Sequence, residues 1–579
     1  MLLLQPLICQ TNLILPNSEV ARRHAKACAG KSNAPPPPQA KRGRKARACD
    51  KCSQYKVSCD AKNPCSRCVA QNKTCTYHRL NSDTGSSDLV QSKVPFLLNF
   101  TTPVNESTIP AFFLEGAWSG SDETASCTQL FYGSSEDELT GFHSSVLELP
   151  ALSSYYGHGF GVDETGNHHT NGSFGGLGPP TDHTISWELR TDEILRHIWV
   201  TYNEMFRNGV EGCPAFDMDA ARAVFSVQNV KQFVSSYFQH VHDEIPVIHR
   251  PTFHIDTASP ELLLTIVLAG AAFSPPLDDA LSTHHFMPIA DEFVFGQLAR
   301  RLQFTQPDDP ELRPEDVQNM QAAVIMGTLQ SGLNDVQTRR RVKSRRHPQL
   351  VSTLRSFGLL SARRRALATW QDFIEDETRV RITIFTFMSD NHYCMFFNQP
   401  PLISVSEMVG DLPCAEELWE AKTPSQFEHL SAIELQDAPP PPSVRYLVNT
   451  LMHGPWTQSP GCPCKNASHF NLYIAIADHH AALQSVTYSA RTSCLGPASF
   501  QAILRATERW QKLWGSGPPQ LGPDPRKHAF MRHAAETCWL VRTVVKVAQS
   551  GDMSSGYMQN LSADNFSDLH NFIKKYGHL

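Results

Sequence analysis

Long hydrophobic runs are missing from this 579-residue chain. The longest, Leu262 to Phe273 (LLLTIVLAGAAF), stops at twelve residues, well short of the ~20 that cross a bilayer, and reads as a buried helix. The opening MLLLQPLICQTNLILP is apolar, but it lacks a charged leading segment and a small-residue cleavage site, and Gln and Pro interrupt it, so it makes a poor signal peptide. No stretch alternates apolar and polar residues for long enough to suggest a sheet. Catalytic signatures are missing too. There is no GxSxG elbow, no GxGxxG after a strand, no Walker loop and no HExxH, and the reading is of a protein that is not an enzyme. Ten of the sixteen cysteines are dispersed, with Cys462-Pro-Cys464 the only close pair, which suits a reducing compartment and loop thiols better than a disulfide scaffold.

The other six cysteines are concentrated. Residues 49–75 read CDKCSQYKVSCDAKNPCSRCVAQNKTC, placing Cys49, Cys52, Cys59, Cys65, Cys68 and Cys75 as C-x2-C-x6-C written twice, five residues apart. A C-x2-C pair in a turn lets two thiolates reach one metal from the same side, and soft thiolates at this density select zinc over hard cations. Three sulfurs per half cannot complete two tetrahedral shells without sharing, so a two-zinc cluster with bridging thiolates is the natural inference. A disulfide knot is the alternative, and the duplicated spacing together with the flanking charge argues against it.

This spacing resembles that of the fungal binuclear zinc cluster (Zn2Cys6) transcription factors throughout. The resemblance implies that Cys49 and Cys65 are the bridging ligands, that each half is a short helix followed by an extended strand, and that Pro64 is the loop proline the family commonly carries. It also implies that Lys56 donates to guanine acceptors of a CGG triplet in the major groove, where O6 and N7 lie side by side. Arg47, Lys51, Lys62, Arg67 and Lys73 read as phosphate contacts that position the module without specifying sequence. The chain departs from the family between its second and third cysteines. Ser53, Gln54 and Tyr55 stand where Arg and Lys are usual, and weaker, less salt-sensitive DNA binding or an altered base preference is expected.

Charge distribution agrees with a nucleic-acid module. The first 80 residues hold 15 Lys and Arg against 3 Asp and Glu, a balance of +12; the whole chain is −6, which leaves −18 for the remainder. Lys41, Arg42, Arg44, Lys45 and Arg47 form a compact run before the cluster, suited to nuclear localisation, phosphate neutralisation or both. Upstream, NSEVARRHAKAC resembles the helix of a Cys2His2-type finger ending in His24 and Cys28. Only Cys9 stands in place of the required C-x2-C pair, so a degenerate finger is expected. Residues 1–40 are thus read as a finger remnant and a linker containing Pro35 to Pro38, and 41–80 as the DNA-binding module.

Residues 81–185 are rich in Gly, Ser, Thr and His and read as a disordered linker. No a/d heptad repeat develops there, so a zipper beside the cluster is not expected; binding as a monomer, or a homodimer paired through the large helical domain, is preferred. Ile109 to Trp118 and Glu136 to Tyr156 mix acids with bulky apolar residues, a pattern that suits an activation segment folding on a co-regulator and equally suits a locally packed linker. Val94 to Phe100 (VPFLLNF) resembles a short apolar motif that follows the cluster in the subset of relatives with a preceding finger.

Apolar spacings of three and four predict helices over 187–206, 227–242, 260–273, 314–333, 370–397, 470–490 and 500–514, hence a large all-α domain over 186–550 and a tail over 551–579. This body resembles the fungal-specific transcription factor regulatory domain in YFQHVHDEIPVIHRPTF (237–253), in the segment from His347 to Leu360, and in the stretches around Trp370 to Arg381, Asp390, Asn398-Gln-Pro-Pro401 and LPCAEELWEA (412–421). His240, His242 and His249 near Asp243 and Glu244 invite a metal reading, but residues two apart on a helix point away from each other. Glu375, Asp376 and Glu377 read as a solvated helix face. The expected whole is a small Zn2Cys6 module and a large helical regulatory domain joined by a disordered linker. Two Zn2+ ions, double-stranded DNA and transcription co-regulators are its partners, the nucleus its location, and no membrane is involved. A zinc-stabilised nuclear co-regulator with weak or lost DNA binding is the alternative that Ser53, Gln54 and Tyr55 keep open.

Overall fold

A computed structural model describes residues 65, 66, 68, 94–103, 182–210, 213–274, 278–304, 312–333, 335–366, 368–434, 441–453, 463–479, 497–516, 529–559 and 562–577. The chain divides into two units, residues 1–92 and residues 93–577. In the first, Cys65, Ser66 and Cys68 are described, with Ser66 and Cys68 helical. The described residues of the second form helices joined by turns and loops, with no β-strand among them. Among the described residues, no helix is long and apolar enough to cross a membrane.

The principal helices of the second unit are α1 (Pro95–Phe100), α2 (Asp182–Arg207), α3 (Val227–His240), α4 (Pro260–Ala272), α5 (Met287–Phe304), α6 (Pro314–Gly332), α7 (Val336–Arg341), α8 (His347–Ser356), α9 (Trp370–Phe397), α10 (Val444–Met452), α11 (469–479), α12 (Pro497–Ser516), α13 (Ala534–Ser550) and α14 (Ser567–Tyr576). A single π-helical turn, Val342–Arg346, carries α7 into α8.

The longest apolar run becomes the centre of the larger core. Ser259 Oγ accepts the N–H of Leu262 at 3.3 Å and Pro260 takes the first helical position, which starts α4 where the run begins. Every residue from Leu262 to Gly270 is buried, as a helix without a polar face must be. α2, α3, α5 and α6 pack around it. The crossing with α3 is close: a Cβ on Gly270 would lie 1.8 Å from the Phe233 carbonyl oxygen.

α9 is the spine. Its 28 residues begin at a capping box, with Thr369 Oγ1 accepting from the Asp372 N–H at 3.2 Å and Asp372 Oδ2 from the Thr369 N–H at 3.1 Å. They end at Asn398, which takes the left-handed conformation with φ 51°. Along its length the helix serves three apolar clusters: Phe373 and Ile374 pack with Leu418 and Trp419, Val380 to Met388 join the large core, and Tyr393 to Phe397 join a second core.

That second core corrects two expectations. Residues past 550 are not a tail: Tyr557, Met558, Phe566, Leu569, Phe572, Ile573 and Tyr576 are buried in it. Wholly buried Arg339 donates to the Asp564 carbonyl at 3.0 Å and lies between the rings of Phe397 and Phe566, while Lys343 pairs with Asp564 at 2.9 Å. Residues 94–103, which fall inside the expected linker, also pack there through Val94, Phe96, Leu97 and Phe100. The segments 109–118 and 136–156 lie outside the described residues.

Candidate zinc and nucleic-acid site

Of the six cysteines expected to bind zinc, Cys65 and Cys68 are described, and both are buried. The backbone N–H of Cys68 donates to Cys65 Sγ at 3.4 Å, so the C-x2-C spacing folds into a turn that aims an amide dipole at a sulfur. A donor directed at sulfur favours its thiolate form, the form a zinc ligand must take. Buried thiols on a tight turn with an amide on one sulfur fit a structural zinc site. Cys49, Cys52, Cys59 and Cys75 lie outside the described residues. So do the candidate DNA contacts Arg47, Lys51, Lys56, Lys62, Arg67 and Lys73, the basic run Lys41, Arg42, Arg44, Lys45 and Arg47, and the finger remnant.

In the body, the histidines that invited a metal reading are used by the fold. His242 is hydrogen-bonded to Glu420 Oε1 at 3.1 Å, and Arg250 donates to Oε2 of the same carboxylate at 2.7 Å. Burial would raise that carboxyl, but the hydrogen bond and charge from His242, with the charge of Arg250, bring it down to about 2. His249 meets Thr252 Oγ1 at 2.7 Å and lies edge-on to Trp419, and burial lowers it to about 4, so it is neutral at physiological pH. Burial likewise pushes the thiols of Cys394 and Cys414 far up, and that of Cys538 to about 12, leaving them protonated and poor nucleophiles. Cys464 is also buried, and its close neighbour Cys462 lies outside the described residues.

Of the acidic run at 375–377, Glu375 faces solvent as expected, but its two neighbours do not. Asp376 and Glu377 are buried. Glu377 accepts from Arg364 at 2.6 Å, from Arg381 Nε at 2.8 Å and from the Cys414 N–H at 3.0 Å, and Asp376 accepts from Arg365 at 2.8 and 2.9 Å. Arg381, wholly buried, stacks its guanidinium on Trp419 at 4.6 Å. Asp376, Glu377 and Arg381 lie in the Trp370 to Arg381 stretch, and Cys414 and Trp419 in the 412–421 stretch, on which part of the resemblance of the body rests, so these motif residues form an internal ion-pair lock. Sequence reasoning also missed Glu536, whose carboxylate accepts the N–H groups of Phe96 and Leu97 at 3.1 and 2.8 Å. A lone acid at 440 residues' separation carries no local signal.

A cysteine-dense basic module followed by an all-helical body defines the class: a zinc-cluster protein with a helical regulatory domain. Residues 47–83 match the fungal Zn(2)-Cys(6) binuclear cluster domain, which binds two zinc ions, and residues 234–494 match the fungal specific transcription factor domain. Both domains are present in that order, the arrangement of the fungal Zn2Cys6 transcription factors. Among curated proteins it is similar to "Transcription factor verF" of Penicillium polonicum, 24% identical over 361 residues, covering 56% of this chain and 47% of that protein. "Zinc finger protein klf1" of Schizosaccharomyces pombe is 20% identical over 227 residues, covering 36% of this chain and 27% of its own length. "Activator of stress genes 1" of Saccharomyces cerevisiae is 41% identical over 71 residues, 12% of this chain and 7% of that protein. The chain thus spans about half, or less, of the length of the curated relatives it matches. No solved structure matches it.

Proposed function

We propose that this chain is a zinc-dependent, sequence-specific regulator of RNA polymerase II transcription that acts in the nucleus and reads CGG-type triplets through Lys56. The observation that carries this reading is the duplicated C-x2-C-x6-C spacing set in a segment of balance +12 on a chain that is otherwise −18. Cys49, Cys52, Cys59, Cys65, Cys68 and Cys75 would hold the two zinc ions, with Cys49 and Cys65 bridging. The ions supply the folding energy that about 30 residues cannot draw from a hydrophobic core. Lys56 presents an ammonium to the adjacent acceptors of guanine, and Arg47, Lys51, Lys62, Arg67 and Lys73 neutralise phosphates around it. The run Lys41 to Arg47 directs nuclear entry. Co-regulators and a second copy, paired through the helical domain, are the protein partners.

A second reading rests on Ser53, Gln54 and Tyr55: a nuclear co-regulator whose cluster is a scaffold with little affinity for DNA. Selection of random duplexes by the full-length, zinc-loaded chain separates the two, with Lys56→Ala as control. Enrichment of CGG-containing duplexes that disappears in the variant supports the DNA reader. A chain that carries two zincs and enriches nothing supports the scaffold.

A further inference from the structure

The six-residue helix α1 is far too short to be stable alone, since isolated helices shorter than ~12–15 residues are marginal in water. It is nevertheless held from both ends and one face by residues more than 290 positions away. At its start, the Glu536 carboxylate accepts the N–H groups of Phe96 and Leu97, satisfying two of the donors a helix N-terminus leaves open. The Phe96 ring stacks on His533 with centroids 4.0 Å apart and planes 1° from parallel, and meets Phe530 edge-on at 5.6 Å. Phe100 packs on Phe396 and Phe530 at 5.0 Å and on Phe566 at 5.6 Å. Just past the helix, Thr101 Oγ1 is 3.1 Å from His570 Nδ1. The receptor is therefore built from the end of α9, the segment around Phe530 and His533, the start of α13, and α14 with its preceding Phe566.

We propose that Val94–Phe100 is a plug that anchors the tether of the zinc cluster in this C-terminal groove. Between Cys75 and Val94 lie 18 residues, 76–93; between Cys75 and α2 lie 106, 76–181. At no more than ~3.6 Å per residue, the plug caps the distance between groove and cluster at about 65 Å, where the whole stretch would allow about 380 Å. A shorter tether raises the effective concentration of the acidic body at the basic cluster, and of the cluster at any DNA the body approaches. Ejecting the plug lengthens the tether about sixfold without breaking the chain. The VPFLLNF motif is thereby the coupling between the regulatory domain and the DNA-binding module, and the C-terminal residues 529–577 are its receptor.

The test uses the full-length, zinc-loaded chain with one protease recognition site inserted between residues 140 and 141. After cleavage, size exclusion in high salt, which screens attraction between the basic head and the acidic body, should show fragment 1–140 co-eluting with the remainder. Glu536→Ala, and separately Phe96→Ala with Phe100→Ala, should release it while the thermal unfolding of the body persists. Excess synthetic peptide of sequence 93–103 should displace the fragment from the cleaved wild-type chain, and the same peptide with both phenylalanines replaced by alanine should not. This arm leaves the body's own sequence untouched. Fragments that separate in the wild type, variants that stay associated, or a peptide that displaces nothing would overturn the proposal.

Discussion

Asp478 shows how one side chain sets a pH dependence. Its carboxyl is buried, Oδ2 makes no hydrogen bond among the described residues, and burial pushes it from 3.8 up to about 7. A raised carboxyl means that the folded chain holds the proton more tightly than the unfolded one. The stability it contributes is complete below pH ~4 and is lost as pH rises through 7. Asp478→Asn removes the titration, so the variant should unfold at higher denaturant than wild type at pH 8, by roughly 4 kcal/mol, with the difference vanishing near pH 4. Urea titrations of both chains across pH 4–8 read this directly; a constant offset at every pH would exclude it. Arg381 makes the opposite case. Removing it would leave Glu377 buried beside a single remaining guanidinium, so Arg381→Met should cost about 3–5 kcal/mol. The Arg355–Glu407 pair, 44% and 35% exposed, is the control: Arg355→Ala should cost no more than ~1 kcal/mol. Equal losses in the two variants would mean that burial does not decide the worth of these pairs.

Among the helices, those with strong local signals were legible. α9 follows its expected 370–397 span because Thr369 and Asp372 form its cap and apolar residues continue to Phe397. α4 follows the longest apolar run, with Ser259-Pro260 before it. α14 carries Leu569, Phe572, Ile573 and Tyr576 on one face, a legible pattern, but ten residues at a chain end read as a tail until the groove that buries them is seen. What these helices bury against could not be read locally, and Gly270 is the clearest instance. In sequence it is a glycine inside a helix; in the fold it is where α3 and α4 touch through backbone. Gly270→Ala should therefore destabilise the body by at least ~2 kcal/mol, although alanine is the better helix former. Calorimetry should show a lowered Tm; an unchanged or raised Tm would mean that the helices slide apart without cost.

For the whole molecule, polarity of charge is the governing feature: a head of +12 and a remainder of −18. If Ser53 and Gln54 stand where phosphate contacts are made in relatives, Ser53→Arg with Gln54→Arg should steepen the dependence of log K on log salt by up to ~0.9 per restored contact. Fluorescence anisotropy of the full chain on one duplex from 50 to 200 mM salt measures the slope, and equal slopes would remove the phosphate argument.

Sequence alone settled what depends on short, regular spacing. Six cysteines in a duplicated pattern specify a metal cluster because ligand geometry is set within a few residues, and apolar residues at spacings of three and four specify helices because the helical period is local. The tertiary structure alone decided what depends on contacts between distant positions. It turned the acids at 376 and 377 into a buried ion-pair lock, put Tyr557, Phe566, Leu569 and Phe572 into a core, and gave VPFLLNF a receptor. Arg381 meets Glu377 within one helical turn, but the other partners lie from eleven to more than four hundred residues away. Such a partner leaves no trace in the local pattern, because burial and hydrogen bonding are properties of the neighbours a side chain meets, not of the side chain itself.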